Sequence, residues 1–294
     1  MNKRSSVAFA IVILLAFPLF AAELQVSDTI TAIGAPAGAP LTLGEMTARM
    51  RDQVHASVIS VESSNTSFII PIAGNAAGGN GTFFKSDVSL ANYRAAIQRI
   101  AVGWLQSGVD NTNAPLVFFQ IGANQVVFVD DFVGTQLGKT GLGAVLVVGV
   151  DGSGNPDSSA NLDGYSRIWT PQPGSSGTVS QNFPSVDVND SLGSLTAYVL
   201  GLKQNSQYRS NVGIVNLDSA AHTWTVRSVV NGAANTVTVP ANSVVQTGIA
   251  ASSATAQGNV ALSIATSGSG FWWSAYGTSV DNVTGDGWVA RATQ

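Results

Sequence analysis

Cysteine is absent from all 294 residues, which excludes a disulfide framework and a lipidated cysteine anchor. Charge is scarce as well. Asp, Glu, Lys and Arg make up 10% of the chain against the roughly 25% usual for soluble domains, and Gly, Ser, Thr, Asn and Val fill the gap. Disorder pairs low hydrophobicity with high net charge, so a hydrophobic content of 45% argues against it. With a formal net charge of −4 and cations scattered singly, the chain lacks the basic footprint that nucleic acid requires. Histidine occurs only at His55 and His222, too sparse and too far apart for the usual zinc spacings, though Asp52 and Asp218 lie near them. No Gly-x-Ser-x-Gly elbow occurs, because Ser267-Gly268-Ser269-Gly270 only mimics one. Gly134-Thr135-Gln136-Leu137-Gly138-Lys139-Thr140 is one residue short of a phosphate loop and is read as a turn. These shortages together point away from an enzyme.

The N-terminus reads as a leader. Asn2-Lys3-Arg4 precedes an apolar run from Val7 to Phe20 and then Ala21-Ala22, too short to span a bilayer comfortably. Phe20 and Leu19 are large for the position before a cleavage site, so an uncleaved anchor stays open. Cleavage after residue 22 removes Lys3 and Arg4 and shifts the net charge to about −6. No membrane span is expected after that removal.

What is present is a repeat. Phe84-Lys85-Ser86-Asp87-Val88-Ser89-Leu90-Ala91-Asn92 returns 124 residues later as Tyr208-Arg209-Ser210-Asn211-Val212-Gly213-Ile214-Val215-Asn216. Ala123-Asn124-Gln125-Val126-Val127 matches Ala241-Asn242-Ser243-Val244-Val245. The apolar run Gly143 to Val150, with its Gly152-Ser153-Gly154 turn, matches Gly258 to Ala265 with Gly268-Ser269-Gly270. Three echoes in one order predict a duplication. Apolar runs bounded by Gly, Asn, Asp and Pro predict about seven short strands per repeat, with no alternating helices. The expectation is all-β: two tandem immunoglobulin-like antiparallel β-sandwiches. Domains follow as 1–22 leader, 23–64 N-terminal extension, 65–190 first sandwich and 191–294 second, with 182–193 as hinge. In the extension, Leu43, Met46, Met50, Val54 and Val58 predict one amphipathic helix, opened by Thr42 and Glu45 and either packed across a sandwich edge or serving as a surface-anchoring or assembly segment.

These motifs resemble the tandem β-sandwich repeats of uncharacterised secreted bacterial proteins, which open on Tyr-Arg-Ser/Thr-Asn-Val/Leu-Gly-Leu-Val-Asn. They close on stretches like Tyr165-Ser166-Arg167-Ile168-Trp169-Thr170 and Val280-Asp281-Asn282-Val283-Thr284-Gly285-Asp286. The first repeat departs from the pattern with Lys85-Ser86-Asp87 and lacks the Asp-Asn-x-Thr-Gly-Asp ending. The resemblance implies an extracytoplasmic sandwich pair and no catalytic residues.

Two groups are candidate site residues. Trp272, Trp273, Tyr276 and Trp288 cluster in the second repeat, with Tyr165 and Trp169 in the corresponding region of the first. Adjacent strand residues face opposite ways, so one of Trp272 and Trp273 belongs to the core and the other to an outer face or the partner domain. An exposed ring there would stack on a sugar or anchor an interface. Asp151, Asn155 and Asp157, running on towards Asp163, and separately Asp281 and Asp286, place oxygens that suit Ca²⁺, or else ordinary Asx turns. Phe84 and Tyr208, Lys85 and Arg209 are expected to be structural. The functional expectation is a secreted or cell-surface, non-enzymatic protein of adhesion, recognition or envelope assembly. Its partner is a protein or a polysaccharide, and self-association is open. The alternative is a carbohydrate-binding module using the second repeat's aromatics.

Overall fold

The computed structural model describes residues 23–56, 65–172, 174–188, 192 and 196–294, with the side chains of 54–56 and 80 left aside. The expected leader, Val58 and the His55 side chain lie outside what is described. The chain is all-β apart from short helices.

The extension holds β1 (Gln25–Ser27), β2 (Thr31–Ile33) and α1 (Leu43–Ala56). The first half follows with β3 (Ser67–Ala77), β4 (Phe83–Asn92), β5 (Gln98–Gln106), β6 (Val117–Ile121) and β7 (Gln125–Val129). After α2 (Phe132–Thr135) come β8 (Gly141–Val150), β9 (Leu162–Pro171), β10 (Thr178–Pro184) and β11 (Val186–Asp187). The second half has β12 (Ala197–Lys203), β13 (Tyr208–Asn216), β14 (His222–Ser228), β15 (Ala234–Val239), β16 (Ser243–Gly248), β17 (Asn259–Thr266), β18 (Trp273–Asp281) and β19 (Gly287–Arg291).

Alternation explains the strands. In β4, Ser86, Val88 and Leu90 point inward while Lys85, Asp87 and Ser89 face out. The run in β8 is buried on both faces, so it shows no alternation. The antiparallel order in the first half is β3-β8-β5-β6 facing β7-β4-β9-β10. The second half is β12-β17-β14-β15 facing β16-β13-β18-β19. Strand for strand, the two orders are the same. Val88, Ile100, Val127 and Val147 fill the first core, and Val212, Trp224, Ile264 and Trp273 the second. The order departs from an immunoglobulin constant domain, where the first strand pairs with the second and the last with the sixth. Here the first strand pairs mainly with the sixth and the seventh with the second, so the outer strands have exchanged sheets.

Local hydrogen bonding repeats too. Asn92 and Asn216 are both fully buried at the ends of β4 and β13. Asn92 Nδ2 donates to the carbonyls of Ala96 (2.8 Å) and Gly122 (2.7 Å), and its Oδ1 accepts from the Arg94 N–H at 3.0 Å. Asn216 does the same with Ala220 (2.8 Å), Pro240 (2.9 Å) and the Asp218 N–H (3.0 Å). Each Asn thus ties one turn to a second turn that is distant in sequence. That second turn holds Asn124 at φ 48° in one half and Asn242 at φ 45° in the other, the left-handed region Asn tolerates best among residues with a side chain.

The extension acts on both layers of the first half. β1 pairs in parallel with β7 and β2 antiparallel with β6, so each sheet gains one edge strand. Helix α1 opens on a capping box: Glu45 N–H donates to Thr42 Oγ1, and Glu45 Oε2 accepts from the Leu41 (2.8 Å) and Thr42 (3.1 Å) N–H groups. It lies on a sheet face, not across an edge as the sequence suggests. Leu43, Met46 and Met50 pack against Ala101, Leu105 and Leu146. The same apolar cluster takes in Val215, Leu217, Val244 and Tyr276 of the second half. The outer face of β16-β13-β18 therefore docks on the outer face of β8-β5. Polar seams flank it: Gly108 N–H to Val244 C=O at 3.0 Å, Asn111 Nδ2 to Asn242 C=O at 3.0 Å and Ser243 Oγ to Gln106 C=O at 3.0 Å.

The expected hinge is corrected in part. Asn182 to Pro184 belong to β10, and Val186 and Asp187 pair with Ile69 and Phe68 of β3. β10, β11 and β19 are edge strands that sequence reading passes over.

Candidate functional site

The aromatic candidates are mostly turned inward. Trp273 is fully buried between the second half's sheets, 5.6 Å from Trp224 between ring centroids. Tyr276 is 1% exposed; its ring lies across Gly213, its hydroxyl donates to Gln246 Oε1 at 3.0 Å, and its edge meets Phe183 of the first half at 5.5 Å. A Cβ on residue 213 would sit 2.1 Å from that ring, so glycine is what allows the crossing. Burial pushes the Tyr276 hydroxyl far above its ordinary pKa. Trp272 is half-buried against the apolar cluster between the halves, which leaves Trp273 as the core member of the pair. Trp288 is half-buried, donating from Nε1 to Gly201 C=O at 2.9 Å and meeting Tyr208 edge-on at 5.8 Å. Trp273 and Tyr276 therefore present no ring to a ligand, which corrects that part of the expectation. They are interior and interface residues.

Most of the calcium candidates are engaged by turn N–H groups or by arginines. Asp151 Oδ1 accepts from the Ser153 (2.8 Å) and Asn155 (2.9 Å) N–H groups, and Asn155 Oδ1 from Arg49 Nη1 at 2.5 Å. Asp157 accepts from Ser159 on one oxygen and pairs with Arg94 at 3.0 Å on the other. Asp163 accepts from its neighbour Gly164 and from Ser185 Oγ. Asp281 Oδ1 accepts from Val283 (2.7 Å) and Thr284 (3.2 Å), and Oδ2 from Gln207 Nε2 at 3.1 Å. Those backbone donors, led by Val283, hold its carboxyl below the usual range. The Asp286 N–H is taken by Thr284 Oγ1, and its C=O by the Asp281 N–H. No group of three acidic or histidine side chains converges among the described residues. The donor set therefore fits Asx turns better than Ca²⁺.

His222 stands beside an acid. Its Nε2 is 2.6 Å from Asp218 Oδ2, while Asp218 Oδ1 pairs with Arg51 of α1 at 2.8 Å. The imidazole stacks on Phe271 with centroids 3.7 Å apart. Burial works against the Asp218 charge, yet the His222 bond, the Ser219 N–H and the Arg51 guanidinium outweigh it and hold the carboxyl below the usual range. The one hydrogen bond described for the ring is to Asp218, which makes the trio a bracket between α1 and the second half.

Two open features remain. The first is the outer face of β7-β4-β9. Ser89 is flanked by Phe128 on β7 and Tyr165 on β9, 45% and 39% exposed. One row along, Ala91 lies between Val126 and Asp163, and Tyr93 is exposed at the strand's end. These rows occupy the places of Gly213 between Gln246 and Tyr276, and of Val215 between Val244 and Ser274. In the second half that face is the one that docks. Sequence reading passes over Phe128 because the repeat offers Gln246 at its place.

The second feature is a cleft of about 690 Å³ between the β9–β10 hairpin of the first half and β13–β18 of the second, reached by Phe84 and Arg209. Lys85 pairs with Asp131 at 3.1 Å, while Arg209 Nη1 donates to Asn282 Oδ1 at 2.6 Å, so one recurring cation is held by an acid and the other by an amide.

No family model, no curated protein and no solved structure matches this chain.

Proposed function

We propose that this is a secreted or cell-surface, non-enzymatic protein of two tandem β-sandwiches related by internal duplication, working in recognition, adhesion or envelope assembly. The shared strand order and the paired Asn92 and Asn216 networks support the duplication. The sandwiches are immunoglobulin-like in layering, with their outer strands exchanged. The leader in residues 1–22 supports export.

One observation carries the functional reading. The first half leaves open the face that its counterpart uses for docking, and keeps Val126, Ala91, Tyr93 and Tyr165 where the docked face has Val244, Val215, Leu217 and Tyr276. A partner protein with an apolar sheet face fits it, since aromatic anchors dominate such contacts. The test is retention of the purified protein on intact cells or envelope fractions, with its solution mass, for wild type and Phe128→Ser/Tyr165→Ser. The double variant should lose at least about tenfold in retention with an unchanged melting curve. Equal retention would sink the reading.

A further inference from the structure

We infer that the cleft between the two halves binds a neutral polyhydroxylated ligand, a short oligosaccharide. The site deepens the recognition reading and rests on it, but uses a different surface from the open sheet face.

The cleft forms because the β9–β10 hairpin overhangs the outer face of β13 and β18. Its capacity of about 690 Å³ falls in the range of small-molecule sites, roughly 300–1,000 Å³. One wall carries Thr170, which is 1% exposed and whose Oγ1 is buried with no hydrogen-bond partner among the described residues. A buried hydroxyl left so costs on the order of 1–3 kcal/mol, and a ligand hydroxyl in the cleft would satisfy it. On the opposite wall, the Asn211 side chain makes no hydrogen bond among the described residues. The side-chain amide of Gln172 is likewise unengaged, and Gln181 donates to Ser279 C=O while keeping its own oxygen free.

Charge is nearly used up. Both Asp281 oxygens accept protein hydrogen bonds, and Arg209 is held by Asn282. What remains is a set of uncharged donors and acceptors set among Phe84, Ile168, Val179 and Val280. Apolar walls with a few placed amides and hydroxyls match a molecule that has C–H faces and hydroxyl edges. A strongly charged ligand finds no free counter-charge there beyond the rest of one guanidinium.

The test is calorimetric titration of the full-length protein with soluble cello-, xylo-, manno- and chito-oligosaccharides, and with heparin fragments as an acidic control. One neutral oligosaccharide should bind. Asn211→Ala and Thr170→Val should each weaken it by about tenfold, since each removes a hydrogen bond to the ligand. Thr170→Val should melt no lower than wild type, because it removes an unpaired buried hydroxyl. The open-face variant Phe128→Ser/Tyr165→Ser should bind the sugar normally, which separates this site from the protein-docking face. Binding that ignores Asn211 and Thr170, preference for heparin, or no binding by any neutral oligosaccharide each overturns the inference.

Discussion

Replacing Asn92 by Asp swaps an amide for a carboxylate of the same shape at a fully buried site. The amide donates to two carbonyls at 2.8 and 2.7 Å and accepts one N–H at 3.0 Å. Asn92→Ala loses three bonds worth about 1 kcal/mol net each, so it should cost roughly 3 kcal/mol or more, since two buried carbonyls are left without their donor. Asn92→Asp keeps the acceptor but points oxygen at both carbonyls, so its ionised form is disfavoured in the folded state. The folded pKa of the new carboxyl then rises above the unfolded value of about 3.9. The folded state holds more protons, so stability falls as pH rises between the two pKa values, by about 1.4 kcal/mol per pH unit. The variant should therefore lose the most at pH 7 and recover part of the loss near pH 4, relative to wild type at each pH. Thermal and urea unfolding read this, with a fall in Tm on the order of 10 °C at pH 7. Asn216→Asp is an internal replicate, because its three partners are equivalent. A pH 7 loss under about 0.5 kcal/mol, or one that does not change with pH, would refute the hydrogen-bond account.

Gly213→Ala should destabilise by about 1–3 kcal/mol, since its Cβ would strike the Tyr276 ring, while Ser89→Ala at the matching place should change melting little. Equal effects in differential scanning calorimetry would undo that contrast. Asp218→Asn should cost about 1–2 kcal/mol, discounted for the solvent that still reaches the pair. Because the folded Asp218 pKa is lowered, its contribution is present above the unfolded value near 3.9 and is lost as pH falls through the folded one. The gap between wild type and variant should thus close in acid melts, and a gap that widens would contradict the assignment. Millimolar calcium against chelator should leave Tm unchanged within about 1 °C, because Asp151 Oδ1 and both Asp281 oxygens already accept protein hydrogen bonds. A rise of several degrees would reinstate a calcium site.

The sequence makes the strands legible where one face is wet. β4 and β13 carry alternation, and their echoed residues have the same hydrogen-bond partners. Helix α1 announces itself through Thr42 and Glu45. Where two faces are dry, as in β8, periodicity says nothing of register. The match of Gly143 with Gly258 shows the consequence. Gly143 opposes Ala73 just past the irregularity in β3, and in the second half Val260 holds that place, opposite Leu202. β10 and β19 escape because Thr178-Val-Ser-Gln-Asn-Phe-Pro and Gly287-Trp-Val-Ala-Arg are short edge sequences whose pairing comes from their neighbours. The site is less legible still. Trp273 looks like a binding residue and is core, whereas the cleft is made by a contact between halves that no local pattern encodes.

Because the halves meet through unlike faces, their junction is heterologous, and such a junction leaves a free face at each end for further units to join. One end of this stack is blunted. On the outer face of β17-β14-β15, where the first half buries Ala101, Leu146, Val148 and Phe118, the second half has Thr225, Ser263, Ala265 and Thr236, with Arg227 and the exposed Tyr198 of β12 beside them. A hydroxyl-rich terminal face is how linear arrays stop growing. That face offers fewer apolar contacts than the open sheet face of the first half, where Phe128 and Tyr165 stand exposed.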